Sequence, residues 1–316
     1  MDFFDRLNPE LKAQIELYPN THYFDLDLFT NHPQQLHQQR LAFVKANPVA
    51  KPQNVLTSDI YIHSSLDNAP LRLHIYQHKE NSTEQVLMYF HGGAYLYGLP
   101  EQADEFLYRL VDELKITIVA PCYRLAPEHQ FPIPIQDGFD ALTWLIENGK
   151  TQLNVNTERI GFYGVSAGGH LAAAVCQKAA DENINNVKLQ FLLYPVITNA
   201  MDSASVAEFT DIPFWNSTYG KISWKHFLGG ENFEKSIKYA DLLNYDNFEN
   251  LPKTVIVTGE LDPLRDEDIV YTQKLTQAKV PTELWVIPGV MHVFDRFKCA
   301  ITEDFFQFTK KRLMDF

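Results

Sequence analysis

The stretch that most constrains this chain is Ile160-Gly161-Phe162-Tyr163-Gly164-Val165-Ser166-Ala167-Gly168-Gly169-His170. It opens on apolar and aromatic residues of strand character and passes through Gly-x-Ser-x-Gly. It closes on Leu171 to Val175, which read as a helix. Strand, sharp turn and helix in that order lift a serine hydroxyl over the end of a sheet. Gly164 and Gly168 are expected because a Cβ at either would collide with chain passing close by. The N-terminus of the following helix points to where an oxygen could gather negative charge. By composition alone the triplet arises by accident in roughly one chain of this length in ten. Its setting and its partners therefore have to carry it.

The rest of the chain supplies a sheet for that turn. From Asn54 the apolar pattern takes period two, and 55–63 and 71–78 read as an antiparallel pair joined by turn-rich residues 66–70. Strands of buried type follow at 86–90, 116–121, 159–163, 188–194, 254–258 and 282–287. They alternate with helical stretches at 101–114, 135–147, 167–181, 266–278 and 295–312. That alternation predicts an α/β fold, a mostly parallel sheet with helices on both faces. Between Tyr194 and Lys253 no strand is evident, but Phe209, Phe214, Trp215, Tyr219, Trp224 and Phe227 cluster there. An aromatic insertion leaving the carboxyl end of a strand sits where such sheets bind ligands.

Ahead of the sheet, Phe3 or Phe4, Leu7, Leu11 and Ile15 recur at helical spacing with Asp2 as N-cap. A second helix is expected over 34–45, with Leu36, Leu41 and Val44 on one face. The chain thus divides into an N-terminal helical cap segment, 1–52, and a catalytic domain, 53–316, with a cap insertion at about 195–250. The face of Phe3, Phe4, Leu7 and Leu11 is expected to lie over Ser166. In the last helix Ile301, Phe305 and Phe308 face the sheet, and Phe306 points elsewhere; an exposed Phe306 would support a homodimer.

Composition removes several classes. Lys and Arg number 27 against 40 Asp and Glu, a formal charge of −13, which disfavours nucleic acid and anionic membranes as partners. The apolar run Val86 to Phe90 is far too short to span a bilayer, and Asp2 and Asp5 interrupt the start of the chain where a signal peptide would be basic and then apolar. Cys122, Cys176 and Cys299 are odd in number and widely spaced, so a reducing cytoplasm is the expectation and the sequons at Asn81 and Asn216 are expected to be unused. The sequence holds no phosphate-cradling glycine loop, no His-Glu-x-x-His and no repeat.

A nucleophilic serine needs a base, a group that orients the base, and donors for an oxyanion. Each has a candidate just after a predicted strand. The base is His292, in Gly289-Val290-Met291-His292-Val293-Phe294. His170 follows Ser166 too closely on the same helix. The acid is Asp262, in Gly259-Glu260-Leu261-Asp262-Pro263, with Glu260, Asp266 and Glu267 as rivals. Asp266 and Glu267 read as solvated charges at a helix N-terminus. The chain order Ser, Asp, His is the one this architecture uses. The loop His91-Gly92-Gly93-Ala94-Tyr95 follows the strand at 86–90, and its small residues let backbone N–H groups approach a substrate oxygen. Tyr95, Phe214, Trp215, Val293 and Phe294 are the expected pocket walls.

Four separated segments then carry a resemblance. They are His91-Gly92-Gly93-Ala94-Tyr95; Tyr123-Arg124-Leu125-Ala126-Pro127-Glu128; Gly164-Val165-Ser166-Ala167-Gly168-Gly169; and Asp262-Pro263-Leu264 with His292-Val293-Phe294. From about Val86 onward the chain resembles the hormone-sensitive-lipase-like esterases of the α/β-hydrolase superfamily. The resemblance implies an eight-stranded α/β-hydrolase fold with a helical cap. It implies a serine carboxylesterase acting on short-chain acyl esters, without metal or cofactor, with a small-molecule ester as its partner. Ser166 would be the nucleophile, Asp262 the orienting acid and His292 the base. The N–H groups of Gly93, Ala94 and Ala167 would form the oxyanion hole, with His91 and Gly92 supporting the loop. Ala94, Val165 and Cys122 depart from the family pattern, which usually has Gly, Asp or Thr, and Asp there. A non-catalytic receptor on the same fold, or an amidase, is the alternative.

Overall fold

The computed structural model describes residues 3–17, 24–80, 85–230 and 237–316. Asp2, the expected N-cap, and the sequon at Asn81 lie outside the described residues. The first expected helix is two: α1 (Phe3–Arg6) and α2 (Pro9–Glu16). Pro9 has no N–H and its ring crowds the preceding turn, so a helix stops before it. Asn8 then restarts one, its Oδ1 accepting the N–H groups of Glu10 and Leu11 at 2.9 and 3.4 Å. An unexpected short helix, α3 (Leu26–Asn31), is capped by Asp25, and α4 (Pro33–Ala46) matches the second expected helix.

The remaining elements follow in the expected alternation. They are β1 (Val55–His63), β2 (Pro70–His78), β3 (Val86–Phe90), α5 (Asp104–Leu114), β4 (Thr117–Pro121), α6 (Ile133–Leu153), β5 (Ile160–Val165), α7 (Ala167–Asp181), β6 (Val187–Leu193), α8 (Ala204–Glu208), α9 (Ser217–Leu228), β7 (Lys253–Leu261), α10 (Arg265–Gln277), β8 (Thr282–Met291) and α11 (Ala300–Met314). One eight-stranded sheet runs in the order β1-β2-β4-β3-β5-β6-β7-β8. β2 is antiparallel to β1 and β4, and the other neighbours are parallel. Every residue of β3 is buried, because helices cover both faces. Val86, Met88 and Phe90 join α6, α7 and α10 in one core, while Leu87 and Tyr89 join α5 and α11 in the other.

Two strands outrun their sequence signal. β7 continues to Leu261, and β8 continues through Pro288 and Gly289 to Met291. Proline is tolerated there because β8 is the last strand of the sheet and Pro288 is exposed. Leu261 pairs with Met291 across a register shift that begins at Gly259. A Cβ on Gly259 would stand 2.4 Å from the Val290 carbonyl oxygen, so the close pass needs glycine. Asp262 and His292 are each the next residue after a paired strand end.

The N-terminal segment and the β6–β7 insertion meet above the sheet. Phe29 and Leu36 pack with Trp215 and Tyr219 of the insertion and with Ala94, Leu96 and Tyr97. The Tyr219 hydroxyl donates to the Phe24 carbonyl oxygen at 3.2 Å. The expectation that Phe3, Phe4, Leu7 and Leu11 lie over Ser166 is wrong. These residues pack in the core that holds Val290, Met291 and Phe294, and the Asn8 N–H donates to the Gly289 carbonyl oxygen at 2.7 Å. Among the described residues no helix is long and apolar enough to cross a membrane.

Phe306 also corrects an expectation. It is 3% exposed, edge-on to Phe106 at 5.8 Å, with the Arg109 guanidinium 3.6 Å above its ring. α11 packs beside α5 as well as on the sheet, so a second flank of the helix is covered. The homodimer expectation loses the exposed residue it rested on. Phe306→Ala should therefore destabilise the fold by about 3 kcal/mol. A urea midpoint within error of the parent would show that the ring is not in the core.

Candidate active site

Ser166 sits between the last residue of β5 and the first of α7, at φ 56° and ψ −122°. A residue with a side chain adopts that backbone only when its surroundings force it. The Ser166 N–H donates to the Leu193 carbonyl oxygen at 2.9 Å, and its own carbonyl oxygen accepts the His170 N–H at 3.1 Å. Gly168 makes the turn possible, since a Cβ there would lie 2.2 Å from the Phe90 carbonyl oxygen. The start of α7 is thereby pressed against the loop that leaves β3.

The structure brings Ser166, Asp262 and His292 into one line. Asp262 Oδ2 lies 2.7 Å from His292 Nδ1, and His292 Nε2 lies 2.9 Å from Ser166 Oγ. The other Asp262 carboxylate oxygen accepts the Leu264 N–H at 2.9 Å. Asp262 is fully buried and His292 nearly so. The His292 ring is held against Tyr194, centroids 4.1 Å apart, and Trp215, 5.7 Å away. A carboxylate on Nδ1 fixes the tautomer, so the unshared pair on Nε2 faces the serine hydroxyl.

The rival acids are occupied elsewhere. Glu260 accepts the Gly289 N–H at 2.9 Å and pairs with Arg6 at 3.2 Å. Asp266 pairs with Arg265 at 2.8 Å and accepts the Ser205 N–H at 2.8 Å. Glu267 is not the solvated charge expected. It is buried, accepts the Ile197 N–H at 2.7 Å, and burial holds its carboxyl well above the usual range. His170 is buried in aromatic contacts, its Nε2 3.0 Å from the Ala240 carbonyl oxygen. Burial pushes the Cys122 thiol up to about 12, so it holds its proton at neutral pH.

The loop after β3 carries three consecutive positive φ values, 141° at Gly93, 57° at Ala94 and 65° at Tyr95. A Cβ on Gly93 would fall 1.8 Å from the Tyr97 carbonyl oxygen. The Leu96 and Tyr97 N–H groups both donate to the Gly93 carbonyl oxygen, at 2.9 and 3.0 Å. Among the described residues the N–H groups of Gly93, Ala94 and Ala167 donate to no protein acceptor. Ala94 adopts left-handed backbone at a cost of about 1–2 kcal/mol. His91 and Gly92 tie the loop down. The Tyr123 hydroxyl donates to the His91 carbonyl oxygen at 2.6 Å and its ring stacks on the imidazole, centroids 4.2 Å apart. His91 Nδ1 and the Gln102 amide both reach the Gly92 carbonyl oxygen, at 3.0 and 2.8 Å.

A cleft of about 240 Å³ opens onto Ser166 and His292. Phe214, Trp215 and Val293 line it as expected, but Tyr95 and Phe294 do not. Left-handed backbone turns both away. Tyr95 stacks on Phe227 at 4.1 Å, and Val293 at φ 61° sends the Phe294 ring into the core against Phe305. Sequence reasoning missed Phe24, Arg40, Tyr97, Tyr194, Arg296 and Phe297 as walls. Their positions depend on contacts between distant segments, and no local pattern marks them.

Residues 87–296 match a protein family described as alpha/beta hydrolase fold. An arylesterase of Saccharolobus solfataricus is 30% identical over 295 residues, spanning 91% of this chain and 92% of that protein. An ethyl acetate hydrolase of Pseudomonas putida is 30% identical over 219 residues, spanning 69% and 68%. The solved structure of a bacterial heroin esterase superposes with a TM-score of 0.89 at 29% identity, covering 99% of this chain and 98% of that one.

The buried histidines give the fold a pH dependence of defined sign. Burial pushes His91 and His170 each down to about 4. Below about pH 6.5 an unfolded chain protonates both rings while the fold keeps them neutral. The unfolded state then binds more protons, and stability falls as pH drops towards 4, by up to roughly 3 kcal/mol per ring. Urea midpoints for the parent and His170→Gln should converge on acidification, because the variant has lost one of the two rings. A difference that does not change between pH 7 and pH 5 would contradict a neutral, buried His170.

Proposed function

The chain belongs to the α/β-hydrolase family, and on that premise we propose that it is a carboxylic ester hydrolase working through Ser166, His292 and Asp262. The observation that carries this reading is the unbroken hydrogen-bonded line from the Asp262 carboxylate through the His292 ring to the Ser166 hydroxyl. Ser166 Oγ attacks the ester carbonyl while His292 Nε2 takes its proton. Asp262 stays ionised, orients the ring and stabilises its cationic form. The N–H groups of Gly93, Ala94 and Ala167 receive the oxyanion. Collapse of the tetrahedral species expels the alcohol, which takes the proton from His292 and leaves an acyl-serine. Water then attacks that ester with His292 again as base, and the free acid departs.

The size of the cleft supports small acyl groups. About 240 Å³ is below the usual range for pockets that hold drug-sized ligands. Phe24 of the N-terminal segment and Phe214 and Trp215 of the insertion wall it, so these two segments act as the cap that limits chain length. The relatives named for arylesters and ethyl acetate fit the same substrate range.

Two experiments test the reading. Ser166→Ala should leave the melting temperature near that of the parent and lower kcat/KM on 4-nitrophenyl acetate by at least about a thousandfold. A folded variant that keeps turning over would remove Ser166 as the nucleophile; a parent with no turnover would point to a receptor. Asp262→Asn should cost far more activity than Glu260→Gln or Asp266→Asn, because Asp262 alone among the three touches His292. Comparable losses at Asp266 would reverse that assignment.

A further inference from the structure

The nine arginines of this chain divide into three kinds. Arg6, Arg72, Arg109, Arg124, Arg265 and Arg312 each lie within ion-pair distance of a carboxylate. Arg159 is exposed just before β5, at the end of the sheet away from Ser166. Arg40 and Arg296 are different. Both line the cleft over Ser166, and among the described residues neither guanidinium has an ion pair or a hydrogen bond.

Their surroundings differ, and neither guanidinium is held in an ion pair. Arg40 lies on α4, partly buried, its guanidinium 5.6 Å from the centroid of Tyr97 and 5.8 Å from that of Phe43. Aromatic faces attract a cation but do not neutralise it. Arg296 comes from the turn after His292; Arg40's own burial, and after it the charge of Arg296, disfavour the Arg40 cation. Burial disfavours the Arg296 cation, but the charge of Asp295 alongside it and the nearby tyrosines outweigh that and raise it above its ordinary value; the Asp295 carboxylate itself takes the Tyr194 hydroxyl and forms an ion pair with neither guanidinium. Clamping α4 onto Tyr97 would explain Arg40 alone. It does not explain a second arginine lining the same cleft. Two like charges brought together in a partly dry site repel unless an anion joins them. The chain as a whole carries −13, which makes two arginines without an ion pair in the cleft over Ser166 the less expected.

We propose that Arg40 and Arg296 form an anion subsite within the cleft, so that the preferred substrates are esters bearing a carboxylate. This rests on the esterase reading and narrows it to a substrate class. A guanidinium presents its N–H groups in a planar fork that matches a carboxylate, and one from each side would hold the anion between them. The same cleft holds Ser166 and both arginines in about 240 Å³, so the anion and the scissile ester belong to one small molecule. Phe24, Phe214 and Trp215 cover the carbon chain that joins them.

The test compares each acid with its own neutral methyl ester. On the alcohol side the pair is 4-carboxyphenyl acetate and 4-(methoxycarbonyl)phenyl acetate. On the acyl side it is mono-(4-nitrophenyl) adipate and methyl 4-nitrophenyl adipate. In one of the pairs kcat/KM should favour the anion by about tenfold or more, and added salt should shrink the ratio. That pair also tells which side of the ester meets the arginines. Arg40→Gln and Arg296→Gln should each bring the ratio close to one, and Arg40→Lys should keep part of it. A neutral preference in both pairs would overturn the subsite while leaving the esterase reading intact. The second arm needs no turnover. Adipate titrated into Ser166→Ala in a calorimeter should bind, and should cease to bind once either arginine is replaced by Gln. If none of the esters is hydrolysed, the esterase reading fails and the adipate titration still decides the subsite. Absence of adipate binding to Ser166→Ala overturns it.

Discussion

The hydrogen bond between Asp262 and His292 is the contact on which the site depends. It joins two buried groups at 2.7 Å. Burying a carboxylate without a partner is costly, so the pair is held together by the same desolvation that would penalise either member alone. Its geometry is set by the sheet. β7 and β8 run side by side to Leu261 and Met291, and the next residue of each strand is the one that matters. The register shift after Gly259 brings those two ends level. The edge of the sheet is therefore the positioning device, and the imidazole needs only Tyr194 and Trp215 to hold its plane.

Around that line the chain stores backbone strain. Ser166, Ala94 and Tyr95 all have positive φ, and each costs on the order of 1–3 kcal/mol. The strain persists because packing leaves no alternative. Tyr95 is locked on Phe227 and His170, His91 is stacked on Tyr123, and α7 lies against the Phe90 carbonyl oxygen with only a glycine between. Beside Ser166 this leaves the N–H groups of Gly93, Ala94 and Ala167 without a protein acceptor among the described residues.

The cap follows a different logic. Its walls come from segments far apart in the chain, Phe24 and Arg40 before the sheet, and Phe214 and Trp215 within an insertion. A shared aromatic cluster packs Phe24 and Trp215 together with Ala94 and Tyr97. The body of the fold is fully charge-paired at most of its arginines, whereas the cap and the turn after His292 leave two at the cleft. The line from Asp262 through His292 to Ser166 is thus positioned by the sheet, and the walls of the cleft by what is laid over it.

Much of this was legible in the sequence because it is written in short-range terms. Period two and period 3.6 located the strands and most helices, and glycines with a serine between them marked the turn at Ser166. Strand ends placed Asp262 and His292 as candidates before any contact was known. What sequence could not decide was which way side chains leave irregular backbone. Tyr95 and Phe294 stand beside cleft residues in the chain, yet left-handed residues turn both into the core. Glu267 reads as a solvated helix-start charge, yet the Ile197 N–H and the insertion bury it. Phe306 reads as a spare face until α5 packs beside it. Arg40 and Arg296 lie more than two hundred residues apart in the chain and share a cleft only in the folded protein. Periodicity and turn chemistry act over a few residues, so sequence alone determined the elements and the candidate triad. Burial, wall composition and charge neutralisation depend on contacts between distant segments, and only the tertiary structure decided those.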